Sequence, residues 1–297
     1  LQIALELGHP MSLQDACIAA KHGHQACVEF ALDQCGVTEK AKDSSLCDAA
    51  AAGGQLACLT YLHDRRLLIS HHTATAAAGG DSHSHYDCLL HLHAQGCEWH
   101  VETAAAAARA GNLACLKFAH REGCPWDVTT CIAAAEGDHL DCLQYAHHNG
   151  CAWPVHGKAP KVSETVVHVF GFYVASMDSR VCEAAAAVGS LDCLTYACTH
   201  EAPLSAKCCE NAAAAGSVAC LRYLHDQGCP WTAATCAAAA AHDHLECLTY
   251  AHESGCPWDR CTVQAAVHGH HMACARYARA HGCPHTYADW FKDGEHK

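Results

Sequence analysis

Cys131-Ile132-Ala133-Ala134-Ala135-Glu136-Gly137-Asp138-His139-Leu140-Asp141-Cys142-Leu143-Gln144-Tyr145-Ala146-His147-His148-Asn149-Gly150-Cys151 is one copy of a unit that recurs along the whole chain. Its central cysteine keeps time: Cys88, Cys115 and Cys142 stand 27 residues apart, as do Cys193, Cys220, Cys247 and Cys274. A fixed period of this length marks a repeat architecture, in which each unit buries its apolar face only against its neighbours. Length is therefore no guide to domain count.

The unit reads as two short helices. The first is alanine-rich (Ala104 to Ala108, Ala184 to Ala187, Ala212 to Ala215, Ala237 to Ala241). Alanine forms helices best and lets neighbouring backbones approach. Thr129 and Thr235 stand where a hydroxyl would cap two of these helices. A glycine-containing turn follows. The second helix begins at Asn112, His139, Ser190, Ser217 or His244, and its Leu140, Leu143 and Ala146 share one buried stripe. Gly96, Gly123, Gly150, Gly228, Gly255 and Gly282 each lie eight residues after an anchor cysteine, the place for a left-handed stop. Pro125, Pro230, Pro257 and Pro284 then forbid continuation. Trp99, Trp126, Trp153, Trp231 and Trp258 share one register and read as knobs between successive units.

The chain carries 25 cysteines and 28 histidines in 297 residues, with a formal net charge of −13. Of the cysteines, 20 fall in three registers: the anchor, nine residues after it and eleven before it. Disulfide frameworks belong to small secreted domains that lack a core. Here the periodic thiols read as small buried hydrophobes of a reducing, intracellular and cytoplasmic protein. The acidic balance and the lack of a Lys/Arg-rich run set nucleic acid aside as a partner. The longest apolar run, Val166 to Ala175, is too short to span a membrane. The opening residues Leu1 to Pro10 resemble the second half of a unit, which suggests a segment of a longer protein.

Laid along these residues, the unit resembles an ankyrin repeat. Thr129 to Ala135 matches the family's Thr-Pro-Leu-His-x-Ala-Ala stretch, His139 to Leu143 its Gly-His-Leu-Glu-Val-Val start, and Gly150-Cys151 its Gly-Ala. The resemblance covers nine copies plus the opening fragment, residues 1–297 as one repeat domain. It implies an all-α, ankyrin-like α-solenoid of helix-turn-helix repeats, acting as a protein–protein interaction scaffold or adaptor. Family repeats run about 33 residues. The period of 27 leaves too few residues for the β-hairpin finger, so the family's finger contacts do not carry over. Anchors Cys142 and Cys193 are 51 residues apart, and the surplus, within 154–181, is a loop, a decayed repeat or a gene-model artefact.

Two sharper readings compete with plain packing. His24/Cys27, His85/Cys88, His139/Cys142, His244/Cys247 and His271/Cys274 are His-x-x-Cys pairs of zinc-ligand type. The histidine varies to Gln55, Asn112, Ser190 and Ser217, which favours capping over a metal role and leaves zinc as the alternative. His63, His93, His120, His147, His225 and His252 lie five residues after each anchor. They read as half-buried side chains with a backbone or water partner rather than a pH-sensitive ladder. No nucleophile, base and orienter stand apart from the repeat, and no phosphate-binding loop is present. Neither catalysis, a cofactor nor a small-molecule substrate is expected. The polar residues ending the first helices, Lys21, Arg109, Glu136, His242 and His268, are the expected contacts for a protein partner of unknown identity. A substrate-recognition array within a larger protein, such as a ubiquitin-ligase adaptor, is the remaining alternative.

Overall fold

In a computed structural model of the chain, residues 12–35, 44–151, 153 and 178–285 are described. Among them stand 18 helices, in nine antiparallel pairs. The contacts divide the chain into two units, Leu1–Cys151 and Ala152–Lys297. The first holds α1 (Leu13–Lys21) with α2 (Gln25–Cys35), α3 (Ser45–Ala52) with α4 (Leu56–Asp64), and α5 (His71–Ala78) with α6 (His83–Ala94). It continues with α7 (Val101–Arg109) and α8 (Leu113–Arg121), then α9 (Val128–Glu136) and α10 (Leu140–His148). The second holds α11 (Arg180–Val188) with α12 (Leu191–Thr199), and α13 (Ala206–Ala214) with α14 (Val218–Asp226). It closes with α15 (Ala233–Ala241) and α16 (Leu245–Glu253), then α17 (Arg260–His268) and α18 (Met272–Ala280). Each unit is an all-α solenoid of helix pairs. Residues 154–177 of the irregular segment lie outside the described residues, as do Leu1 to Met11.

Nine-residue helices are unstable alone in water, so packing must supply their stability. Within each unit successive first helices touch more extensively than successive second helices do. Alanine makes this possible: Ala107, Ala108, Ala134, Ala135, Ala239 and Ala240 are fully buried with no side chain to hold the helices apart. The second helix contributes the anchor cysteine and the leucine after it; Cys115, Leu116, Cys142, Leu143, Cys247 and Leu248 are all fully buried. The periodic thiols are core atoms. Every cysteine described is a free thiol.

The second helices begin where the caps place them. Asn112 Oδ1 accepts from the Cys115 N–H at 3.0 Å, and the Ser190 and Ser217 hydroxyls accept from Cys193 and Cys220 at 3.3 Å. The anchor cysteine is therefore the third helical residue, and the cap and the buried thiol are one device. The first helices start earlier than Thr129 and Thr235 suggest. Asp127 caps α9, accepting from the Thr129 N–H at 2.8 Å, and Thr232 caps α15. Thr235 is inside α15 and fully buried. An aspartate before the helix outcompetes the threonine within it, because a carboxylate also suits the positive end of the helix dipole.

The stop after the second helix is the expected left-handed one: Gly123, Gly150 and Gly255 have φ of 82°, 93° and 85°. The cysteine that follows does more than fold back. Cys124 Sγ donates to the His100 carbonyl at 3.4 Å, Cys229 to Ser205 at 3.2 Å, Cys256 to Thr232 at 3.3 Å and Cys283 to Asp259 at 3.1 Å. Each acceptor is the N-cap residue of the first helix in the same repeat. The thiol ties the end of the pair to its beginning, and no strand or finger is present among the described residues.

Candidate functional site

The site residues expected from sequence sit on the solvent-facing side of the first helices. Lys21, Arg109, Glu136 and His268 are the last residues of α1, α7, α9 and α17, and all are exposed. His242 departs from the register. It is the C-cap of α15, and Ala241 holds the equivalent position. The structure brings together one pair of the five: Arg109 Nε donates to Glu136 Oε2 at 3.1 Å, and a second guanidinium nitrogen reaches the same oxygen. Both side chains are about half exposed, so the pair adds little stability. Its consequence is a fixed charge pattern on the face.

The sequence reading missed most of this face. Glu183, Glu210 and Asn211 lie one to two turns earlier on their first helices, ten, ten and nine residues before their anchors. Glu183 Oε1 accepts from the Ser205 hydroxyl at 2.7 Å and its backbone carbonyl from Asn211 Nδ2 at 2.9 Å, bridging α11 to α13. Lys207 Nζ pairs with Glu210 Oε2 at 3.0 Å. The column ten residues before the anchor reads Cys17, Asp48, Ala78, Ala105, Ile132, Glu183, Glu210, Ala237 and Gln264. Variation there, against constancy three registers away, was a signal available in the sequence.

The His-x-x-Cys histidines are used in packing. His85 Nε2 lies 3.2 Å from the Ala52 carbonyl and Nδ1 2.6 Å from the Ser82 hydroxyl; His271 Nε2 lies 3.0 Å from the Ala241 carbonyl. Asn112 Nδ2 does the same work, donating to the Gly80 carbonyl at 2.8 Å. Each reaches back to the turn of the preceding repeat, which is why His and Asn interchange. The thiols beneath them are protonated: burial pushes Cys88, Cys115 and Cys142 up to about 12. A thiolate is what zinc requires. Among the described residues no group of three or more His, Cys, Asp or Glu is gathered to hold a metal ion.

The histidines five residues after the anchor have partners that the sequence reading did not foresee. His120 stacks on Trp126 at 3.9 Å between ring centroids, and its Nδ1 shares a 2.9 Å hydrogen bond with the Tyr145 hydroxyl. The arrangement recurs as His225, Trp231 and Tyr250, and as His252, Trp258 and Tyr277. The tyrosine belongs to the next repeat. Desolvation by burial holds the Tyr145 and Tyr277 phenols above their ordinary range, so each hydroxyl stays protonated within its bond to the histidine. Histidine and tryptophan are thus clamped as a joint between repeats. Serines and aspartates that could suggest catalysis are helix caps, as Ser190, Ser217, Asp127 and Asp259 show. An open groove lined by Gln25, Leu56, Thr60, Tyr61 and Asp64 runs along α2 and α4. No helix among the described residues is long and apolar enough to cross a membrane.

No family model matches the chain, and no curated protein matches it. Among solved structures it is similar to the ankyrin repeat domain of human ASB11, at 17% identity over 61% of this chain and 84% of that one, with a TM-score of 0.45. It is also similar to the pentatricopeptide repeat protein PPR10 in complex with an 18-nucleotide psaJ RNA element, at 16% identity, 93% of this chain, 44% of that one and a TM-score of 0.43. PPR10 from maize gives 16% identity, 95% and 46% coverage and a TM-score of 0.37. The chain spans under half the length of the PPR10 chains. The expected exclusion of nucleic acid is corrected here, because a helical-repeat chain similar to this one holds RNA. Net charge is a sum over the whole surface, and helical repeats can read single-stranded bases with a few side chains each. An acidic balance is no ground for excluding that class.

Proposed function

We propose that the chain is a binding module whose first-helix face takes a partner protein. One observation carries the reading. Residues that build the repeat are held constant from copy to copy, whereas the exposed to half-buried positions six and ten residues before the anchor vary among charged, polar and small side chains. Cys17 and Lys21, Ala105 and Arg109, Ile132 and Glu136, Glu183 and Ala187, and Gln264 and His268 are versions of the same two positions. Side chains presented in this way from rigid helices suit a surface that reads a partner one repeat at a time.

The test is photo-crosslinking in lysate of the source cells. A benzophenone amino acid is placed at position 109 or 264 on the first-helix face, and at position 226 on the second-helix side as a comparison. The reading expects a protease-sensitive adduct from positions 109 and 264 and none from position 226. Equal adducts from all three positions, or adducts removed by nuclease, would overturn it.

A further inference from the structure

In the repeat of α9 and α10 the thiol that ties the pair shut has a second thiol against it. Cys151 Sγ donates to the carbonyl of Asp127, the N-cap of α9, at 2.7 Å. Cys131 Sγ, from within α9, donates to Cys151 Sγ at 3.2 Å and to the Cys151 carbonyl at 3.1 Å. Both side chains are buried. At 3.2 Å the two sulfurs need to close by only about 1.2 Å to reach the length of a disulfide bond. The two registers, eleven residues before the anchor and nine after it, are both cysteine again at Cys209 and Cys229 and at Cys236 and Cys256. Elsewhere one member is missing: Ala104 precedes Cys124 in these registers, Val263 precedes Cys283, and Cys182 precedes Ala202. The chain thus contains both the paired closure and the single-thiol closure that serves as its comparison.

We infer that Cys131 and Cys151 are a modification site for low-molecular-weight disulfides, which exchange the hydrogen-bonded tie of this repeat for a covalent one. Cys131 belongs to α9 (Val128–Glu136) and Cys151 to the strap after α10, so local opening of the strap presents Cys151 without unwinding a helix. Cys151 then gives its proton to solvent, and its thiolate attacks one sulfur of the small disulfide. That S–S bond breaks, one small thiolate leaves, and a mixed disulfide stands on Cys151. As the strap closes, Cys131 gives up its proton and its sulfur attacks the Cys151 sulfur; the bond to the small group breaks and a second thiolate leaves. The two leaving thiolates take up the two protons. One small disulfide is reduced to two thiols, and two protein thiols are oxidised to one disulfide. The second step is favoured because the partners are already held in contact, which gives the resolving sulfur a high effective concentration. A closure with a single thiol, such as Cys124 or Cys283, stops at the mixed disulfide, whose bulk its buried position does not accept.

The test equilibrates the full, reduced chain with glutathione buffers of rising disulfide fraction at neutral pH. Samples are quenched in acid, blocked with N-ethylmaleimide and mapped by mass spectrometry, with circular dichroism recorded before the quench. Loss of both thiols to a Cys131–Cys151 linked peptide is expected, with the helical signal kept, at a disulfide fraction at least about tenfold below the one that puts glutathione on Cys124 or Cys283. In Cys131→Ser the linked peptide should vanish and glutathione should be found on Cys151. Cys131 and Cys151 still reduced in a buffer that has already modified the exposed Cys261 would overturn the proposal. So would Cys151 linked to a thiol outside its own repeat, or a Cys131–Cys151 link found only where the helical signal is lost; both are readable on the unsubstituted chain.

Discussion

Two glycines in the same repeat are required for different reasons. Gly150 has φ of 93°, and a Cβ built there meets nothing within 4 Å. Gly137 has an ordinary φ of −86°, yet its Cβ would lie 2.2 Å from the Arg109 carbonyl oxygen of the preceding repeat. Gly150→Ala should cost about 1–2 kcal/mol through the left-handed backbone alone, and Gly150→Asn less. Gly137→Ala should cost about 1–3 kcal/mol by forcing two first helices apart, and Gly137→Asn no less. Urea unfolding of the four variants separates the two causes. The role of Gly150 was legible in the sequence, because a helix stop is local and repeats at a fixed offset. The role of Gly137 was not, since the atom it avoids lies 28 residues away. Thiol chemistry is argued at this scale as well. Burial raises the anchor thiols to about 12 at Cys88, Cys115 and Cys142, whereas Cys261 is exposed. Iodoacetamide on the folded chain should therefore modify Cys261 well before those anchors, as counted by mass spectrometry. Equal rates would mean that the anchors are not core atoms.

At the scale of the element, the second helix ends in a strap whose parts divide the work. The glycine stops the helix, the thiol after it closes the pair, and the tryptophan two residues on meets the histidine of its own repeat and the tyrosine of the next. Trp258 lies 3.8 Å from His252 and 6.4 Å from Tyr277 by ring centroids. Trp258→Ala should destabilise by about 2–4 kcal/mol, the cost of losing a large, partly buried aromatic. His252→Ala should cost about 1 kcal/mol and leave the Tyr277 hydroxyl without this partner. Thermal melts of the two variants check both figures. The knob role of tryptophan was readable from its register. The tyrosine that completes the joint was not, because it is 25 residues away. Helix starts show the same division. Asn112, Ser190 and Ser217 were legible as caps, whereas Thr129 and Thr235 lie inside helices whose caps, Asp127 and Thr232, precede them.

At the scale of the whole molecule, each unit is a row of helix pairs that contact mainly their neighbours in sequence, so stability is a sum of pair and interface contributions. The period of the cysteines made this architecture legible at once. The polar positions of the first helices were harder to see. Lys21, Arg109, Glu136 and His268 end their helices, whereas Glu183, Lys207, Glu210 and Asn211 were hidden among alanines that serve mainly for close approach. Caps and turn carbonyls engage the histidines beside the anchors. Incubation with a strong chelator should therefore leave the melting curve of the chain unchanged, and a fall in melting temperature would restore the zinc alternative.

Hydrogen–deuterium exchange of the intact, reduced chain bears most directly on the repeat as the unit of construction. Slow exchange is expected in paired segments matching α1 to α18, with fast exchange at the Trp126, Trp231 and Trp258 amides of the straps. Protected amides through those straps, as strands or fingers would give, or protection that disregards the 27-residue period, would contradict it.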